Sequence, residues 1–296
     1  MSTLPKSIHI IQNQCPGDIL MLTAAVRDLH TAYPDLALMV STTSQFLWAN
    51  NPHVSHGFRA DRIIRLGYQT PRMKGFTGEQ HHFIYAFHES LEKELDIDIP
   101  RGKPYPDIYL TDVEKAPIIS TNKPLLLINA GSKPDFPIKQ WPIDRFQGVI
   151  NALKDKYTIA QIGDVRLNAK HPKLDGVVDM VGKTPGRGLL VLMWQSVGVI
   201  TGVSYPMHLC AAINAKDTRQ RTCVVIAGNR EDVWWEKYPD HIYLTGEVRE
   251  CCKDHACWRR YTDNSQPAAE VCQHVVKGAA ACMDDITEKD VVKCFQ

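Results

Sequence analysis

The strongest constraint on this chain is an alternation of short apolar runs with helical segments, repeated in two series. Residues 7–12 read as a buried strand, followed by the polar turn Asn13-Gln14-Cys15-Pro16-Gly17-Asp18 and a helix over about 19–33, where Leu22, Ala25, Val26 and Leu29 recur at helical spacing. Tyr33-Pro34-Asp35 closes that helix, because a proline and the residue before it resist continuation. Residues 36–41 read as the next strand, completing a βαβ unit. The pattern then shortens to a helix at 44–49, a strand at 63–66, a helix at 81–95 and irregular chain over 96–106. A polar connection at 111–124 marks a domain boundary. The second series runs from a strand at 125–130 through a helix opened by Pro142 and ending near 156, strands at 157–162 and 177–181, and a helix at 189–196. It ends with a strand at 197–202, a helix beginning near Ser204 and Pro206, and a strand at 222–227. Strands alternating with helices predict parallel α/β sheets, and two series predict two such domains, at 1–120 and 121–245, with 246–296 as a tail.

The stretch from Ile200 to Ile213 has the strand, turn and helix order that builds an anion site. Its apolar run ends in Gly202, Ser204 suits a helix cap, and Pro206 fits the first turn. N–H groups at that helix start favour a diphosphate, and His208 falls one turn in. A plain crossover with a satisfied histidine is the competing reading. In the loop after residues 125–130, the Gly131-Ser132-Lys133 turn and Lys139-Gln140-Trp141-Pro142 offer N–H, hydroxyl and ammonium donors suited to phosphate oxygens. Gly163-Asp164 and Thr184 belong to the same sheet edge, where they either touch a ribose or base or serve as ordinary turns. Asp18 lies at the carboxyl end of the first strand, where open sheets bind ligands. It suits either a general base or a helix cap.

A formal charge of +1 excludes global steering toward nucleic acid, and no run reaches the ~18–20 apolar residues of a spanning helix. The first residues lack the apolar core of a secretory signal, so the expectation is a soluble cytoplasmic protein. Cys15, Cys210 and Cys223 are scattered, whereas six of the nine cysteines fall between Cys251 and Cys294. In a reducing compartment, thiolates at that density point to structural Zn or Fe, with Cys251, Cys252, Cys257, Cys272 and Cys282 as ligands. Cys294 reads as a core residue of a terminal helix begun by Thr287. A nicotinamide-dependent dehydrogenase is disfavoured because no strand-to-helix turn carries Gly-x-Gly-x-x-Gly.

Together, Gly17-Asp18 with its helix, Asn129-Ala130-Gly131-Ser132 with Lys139-x-Trp141-Pro142, Gly182-x-Thr184, and Ser204 to Ala212 with His208 resemble the ADP-heptose heptosyltransferases of glycosyltransferase family 9. The resemblance spans about residues 7–230. It implies a GT-B fold, two Rossmann-like domains with a cleft between them, and inverting transfer from a nucleotide-sugar donor, most naturally ADP-heptose. By the same resemblance Asp18 is the base, and Gly131, Ser132, Lys139, Gly163, Asp164, Thr184, Gly202, Ser204, Met207 and His208 are donor contacts, with no catalytic metal required. Val203-Ser204-Tyr205 departs from the family, which usually has an acidic residue, Ser or Thr, then Gly. The tail is similar to the cysteine-rich, iron-binding tail of the autotransporter heptosyltransferases, which modify protein side chains and assemble into rings. That implies a homo-oligomer and leaves a carbohydrate, a protein or a nucleic acid as acceptor. The alternative is a catalytically silent binding or assembly protein on the same fold, organised by its cysteines.

Overall fold

The computed structural model describes residues 4–69, 81–132, 137–166, 169–253, 256–258 and 272–296. It divides into two compact units, Met1–Lys115 with Ala211–Thr218, and Ala116–Cys210 with Arg219–Gln296.

In the first unit, strand β1 (Ser7–Gln12) leads into helix α1 (Pro16–Ala32), then β2 (Ala37–Thr42), β3 (Arg62–Arg65) and helix α2 (Ala86–Leu95). The three strands are parallel in the order β2-β1-β3, with Ile10 paired to both Val40 and Ile64. Every side chain from Ile19 to Val26 is fully buried, which is why this helix carries small and aliphatic residues rather than one apolar stripe. The helix expected at 44–49 is a single 3-10 turn, Gln45–Trp48, halted by Asn50 at φ 62° and the Asn51-Pro52 pair. The segment before α2 likewise begins as a 3-10 turn, with His82 accepting from the Ile84 N–H.

A buried polar knot fastens α1. Arg27 Nη1 lies 2.8 Å from Asp107, and Asp28 accepts from the Gly102 N–H and from His88 Nε2, each at 2.8 Å. Burial pushes the Asp28 carboxyl up, but hydrogen bonds from His88, Arg27 and Gly102 more than reverse it, so its pKa lies below the ordinary value. Burial holds His88, with no exposed surface, below its ordinary value too, so the pair is a carboxylate facing a neutral imidazole.

In the second unit, the elements are β4 (Leu125–Asn129), α3 (Ile143–Leu153), β5 (Thr158–Gln161), β6 (Val178–Asp179), α4 (Gly188–Gln195), β7 (Gly198–Gly202), the first part of α5 (Tyr205–Asn214), which counts with the first unit from Ala211 on, β8 (Thr222–Ile226), α6 (Val233–Glu236) and β9 (His241–Leu244). All six strands are parallel in the order β6-β5-β4-β7-β8-β9. Strand order therefore reverses between β4 and β7, and the carboxyl ends of these two strands form the switch point where open α/β sheets bind ligands. Leu125–Ile128 are buried on both faces, as a central parallel strand requires.

The polar-ended β9 adds a strand where sequence periodicity gave none. The described residues of the tail, 246–253, 256–258 and 272–296, also belong to this unit. Strands β10 (Val275–Val276) and β11 (Ala279–Ala280) form a hairpin whose turn uses Lys277 at φ 49° and Gly278 at φ 84°. Helix α7 (Ala281–Asp284) follows, and α8 (Glu288–Val292) starts at Thr287, whose side chain accepts from the Asp290 N–H. Trp141 locks this segment down by donating to the Ile286 carbonyl at 2.9 Å, and half-buried Cys294 packs on the same core.

Candidate active site

Asp18 sits in the first turn of α1, just beyond β1. Its Oδ2 accepts from the Cys15 N–H at 3.0 Å, and its Oδ1 accepts from the Tyr68 hydroxyl at 2.6 Å. One carboxylate thus closes the helix end and receives a strong second hydrogen bond that favours its charged form. Tyr68 is a partner that sequence reasoning did not find. It is held against Phe83 and Phe87, with ring centroids 4.5 and 5.1 Å away.

At the switch point of the second unit the two expected phosphate loops meet. Asn129, the last residue of β4, donates its amide to Thr201 and to Ser204, both at 3.3 Å. The Ser204 hydroxyl lies against the Gly202 carbonyl and the Thr201 hydroxyl, a network that ties the end of β4 to the start of α5. Its carbonyl accepts the Met207 N–H at 3.0 Å, and the Met207 side chain is fully buried. The Lys139 backbone reaches the same edge, its carbonyl 3.9 Å from where a Cβ on Gly202 would stand. Lys139 Nζ lies 2.5 Å from Glu231, which is also bridged by Arg230. Glu231 is buried, and its other oxygen has no partner, so one carboxylate oxygen serves two cations.

Gly131 and Gly163 have a specific reason to be glycine. A Cβ on either would come within 2.2 or 2.0 Å of the His171 ring, which lies across both turns and bonds the Asp164 carbonyl at 2.9 Å. The Asp164 carboxylate pairs with exposed Arg166, whose hydrogen bond holds its pKa low. Thr184 is half-buried and packs beside Gly188 at the start of α4. Lys133, part of the expected turn, lies outside the described residues.

His208 is held from within the unit. It is 5% exposed, its Nδ1 lies 3.0 Å from the Tyr238 hydroxyl, and its Nε2 lies 3.9 Å from Glu236. Tyr238, readable from sequence only as punctuation before Pro239, is fully buried. The Tyr205 hydroxyl is buried without a partner, and burial raises its pKa.

All five tail cysteines taken as ligands, Cys251, Cys252, Cys257, Cys272 and Cys282, border one cavity of about 20 Å³, together with Arg249 and Asn229. That space is the size of one water or ion, and burial of Cys282 pushes its thiol pKa up. The approach is tight. A Cβ on Gly246 would lie 2.2 Å from the Cys282 carbonyl oxygen.

Several solved structures share this fold. A family 9 glycosyltransferase from Veillonella parvula superposes with a TM-score of 0.66 at 15% identity, covering 98% of this chain and 95% of that one. The ADP-heptose lps heptosyltransferase II of E. coli gives 0.65 at 14% identity, covering 98% and 97%. TibC of enterotoxigenic E. coli, a dodecameric iron-containing heptosyltransferase solved with ADP-D-β-D-heptose, gives 0.67 at 15%, covering 98% and 75%. A search of curated proteins by sequence returns no match. The parallel α/β sheets match the GT-B fold of these heptosyltransferases. The model of glycosyltransferase family 9 (heptosyltransferase) matches residues 44–218, more than half of the sequence, and the chain belongs to that family.

Proposed function

We propose that this family 9 enzyme transfers heptose from ADP-heptose to an acceptor hydroxyl with inversion. The first unit supplies Asp18 as general base, and the second binds the donor. The observation that carries the reading is the convergence of the Asn129–Ser132 turn, Lys139 and the start of α5 on the switch point between β4 and β7. The proton of the acceptor hydroxyl passes to Asp18 as its oxygen attacks C1 and the bond from C1 to the diphosphate breaks. Negative charge then builds on the leaving diphosphate. Lys139, Arg230 and the N–H groups at the start of α5 stabilise it, since two cations against Glu231 leave one positive charge at the site. Ser132 and the Gly131, Gly163 and Gly202 turns supply close backbone approach. Thr184 and Asp164 flank the nucleotide, and Met207 and His208 fix the first turns of α5 from the core.

The tail cysteines fit a structural metal, as their common cavity supports, and TibC is described as iron-containing and dodecameric. Iron held by four of Cys251, Cys252, Cys257, Cys272 and Cys282 would cross-link the tail onto the donor unit. A homo-oligomer and a carbohydrate or protein acceptor belong to the same reading. Among the described residues no helix is long and apolar enough to cross a membrane. The test is release of ADP from ADP-heptose by wild type and by Asp18→Ala. Turnover in the first, abolished in the second with donor binding kept, supports the assignment. Donor binding without turnover in the wild type across carbohydrate and protein acceptors favours the silent assembly protein.

A further inference from the structure

Two cysteines that look scattered in sequence are brought together with a histidine inside the second unit. Cys223 on β8 and His241 on β9 are register partners on adjacent parallel strands, so their side chains share one face of the sheet. Cys210, from α5, joins them on that face. Exposure is 0% for both cysteines and 4% for His241. One ligand atom from each of the three lies within 4.8 Å of the other two. The Cys210 thiol lies within hydrogen-bonding reach of both Cys223 and the buried His241 ring. An imidazole and two thiols gathered in the interior are the soft donor set that thiophilic metal ions take.

We propose that Cys210, Cys223 and His241 bind one thiophilic divalent ion, zinc being the natural occupant, at a site separate from the tail cysteines. Zinc takes sulfur at about 2.3 Å and imidazole nitrogen at about 2.0–2.1 Å in tetrahedral geometry, so two ligand atoms on one ion stand about 3.6–3.8 Å apart. The three groups need to close by no more than about 1.2 Å to share it. Binding releases one proton from each thiol, leaves His241 neutral, and balances the two charges of the ion with two thiolates. No oxidant or reductant is involved. The site has a structural consequence for α5. The His241 ring packs on Tyr238 with centroids 5.0 Å apart, and the Tyr238 hydroxyl holds His208 at 3.0 Å. An ion here would staple β8, β9 and α5 behind His208.

The experiment counts zinc by elemental analysis after the full-length protein is equilibrated with zinc and desalted. It compares wild type, Cys210→Ala/Cys223→Ala, and a chain with the five tail cysteines changed to Ser. The expected result is about one zinc per chain in the tail variant, and about one zinc per chain less in the Cys210/Cys223 variant than in wild type. The cobalt-loaded tail variant should show a thiolate-to-cobalt absorption that His241→Asn weakens. Should either variant fail to fold, alkylation mapping of the wild type decides, with zinc expected to slow modification of Cys210 and Cys223 in partial denaturant. Equal zinc in wild type and the Cys210/Cys223 variant, no zinc-dependent protection, or a Cys210–Cys223 disulfide in the purified protein would overturn the proposal.

Discussion

Replacing Asp18 separates its two roles, because its two oxygens do different things. Oδ2 closes the helix by accepting from the Cys15 N–H, and Oδ1 faces the Tyr68 hydroxyl. In Asp18→Asn the amide oxygen keeps the bond to Cys15, and the new NH2 can donate to the tyrosine oxygen, so stability should fall by less than ~1 kcal/mol. Asp18→Ala loses both bonds, for a cost of ~1–2 kcal/mol and a melting point lower by a few degrees. Neither variant can take a proton, so both should lose ~10²–10⁴ in kcat, or ~3–5 kcal/mol of barrier. ADP release measures the rate, calorimetry the donor affinity and thermal melting the stability. A third variant, Tyr68→Phe, withdraws a hydrogen bond that favours the carboxylate, so the acidic limb of the pH–rate profile should move to higher pH. An Asp18→Asn enzyme within about threefold of wild type, or rate losses that follow the melting points instead of the proton chemistry, would refute the assignment.

Four further outcomes follow from the geometry. Gly246→Ala sets a Cβ against the Cys282 carbonyl, which is backbone and cannot swing away, so ~1–3 kcal/mol of stability and the tail metal should be lost together in melting and elemental analysis. Tyr205→Phe removes a hydroxyl buried without a partner and should leave the melting point unchanged or raise it by a few degrees, whereas a marked drop would show a bond this structure does not contain. Stability should fall on acidification. His88 has a depressed native pKa, so its contribution is complete above about 6.5 and is lost as pH falls through the native value, and Asp28 adds a further loss below about 3.8. Melting points of His88→Gln should show a flatter decline between pH 7 and 5, because glutamine keeps a donor to Asp28 and takes up no proton.

Much of the fold was legible because a parallel strand buried on both faces announces itself as a continuous apolar run. Leu125–Ile128 and Val199–Ile200 are such strands, and the turns that follow them carry the candidate site. The 3-10 turn at Gln45–Trp48 was read as a helix because its stop depends on Asn50 at positive φ, a conformation that composition does not reveal. Strand β9 was missed because His241-Ile242-Tyr243-Leu244 has no clean period. Missing it hid the pairing of Cys223 with His241. Partners such as Tyr68, Glu231, Tyr238 and His171 come from loops 30 or more residues from some of the groups they serve, and periodicity says nothing about such contacts. His171 left one trace, since both Gly131 and Gly163 are glycine where its ring lies.

Binding of the donor diphosphate to the second unit is tested most directly by calorimetric titration of ADP into wild type and Lys139→Ala, with UDP and GDP as controls. Wild type should bind ADP selectively. Lys139→Ala should lose ~1.5–3 kcal/mol of affinity, about ten- to a hundredfold, with the fold intact because Arg230 still pairs Glu231. Equal ADP affinity in both proteins, or no binding of any nucleoside diphosphate, would contradict the placement of the donor at the switch point.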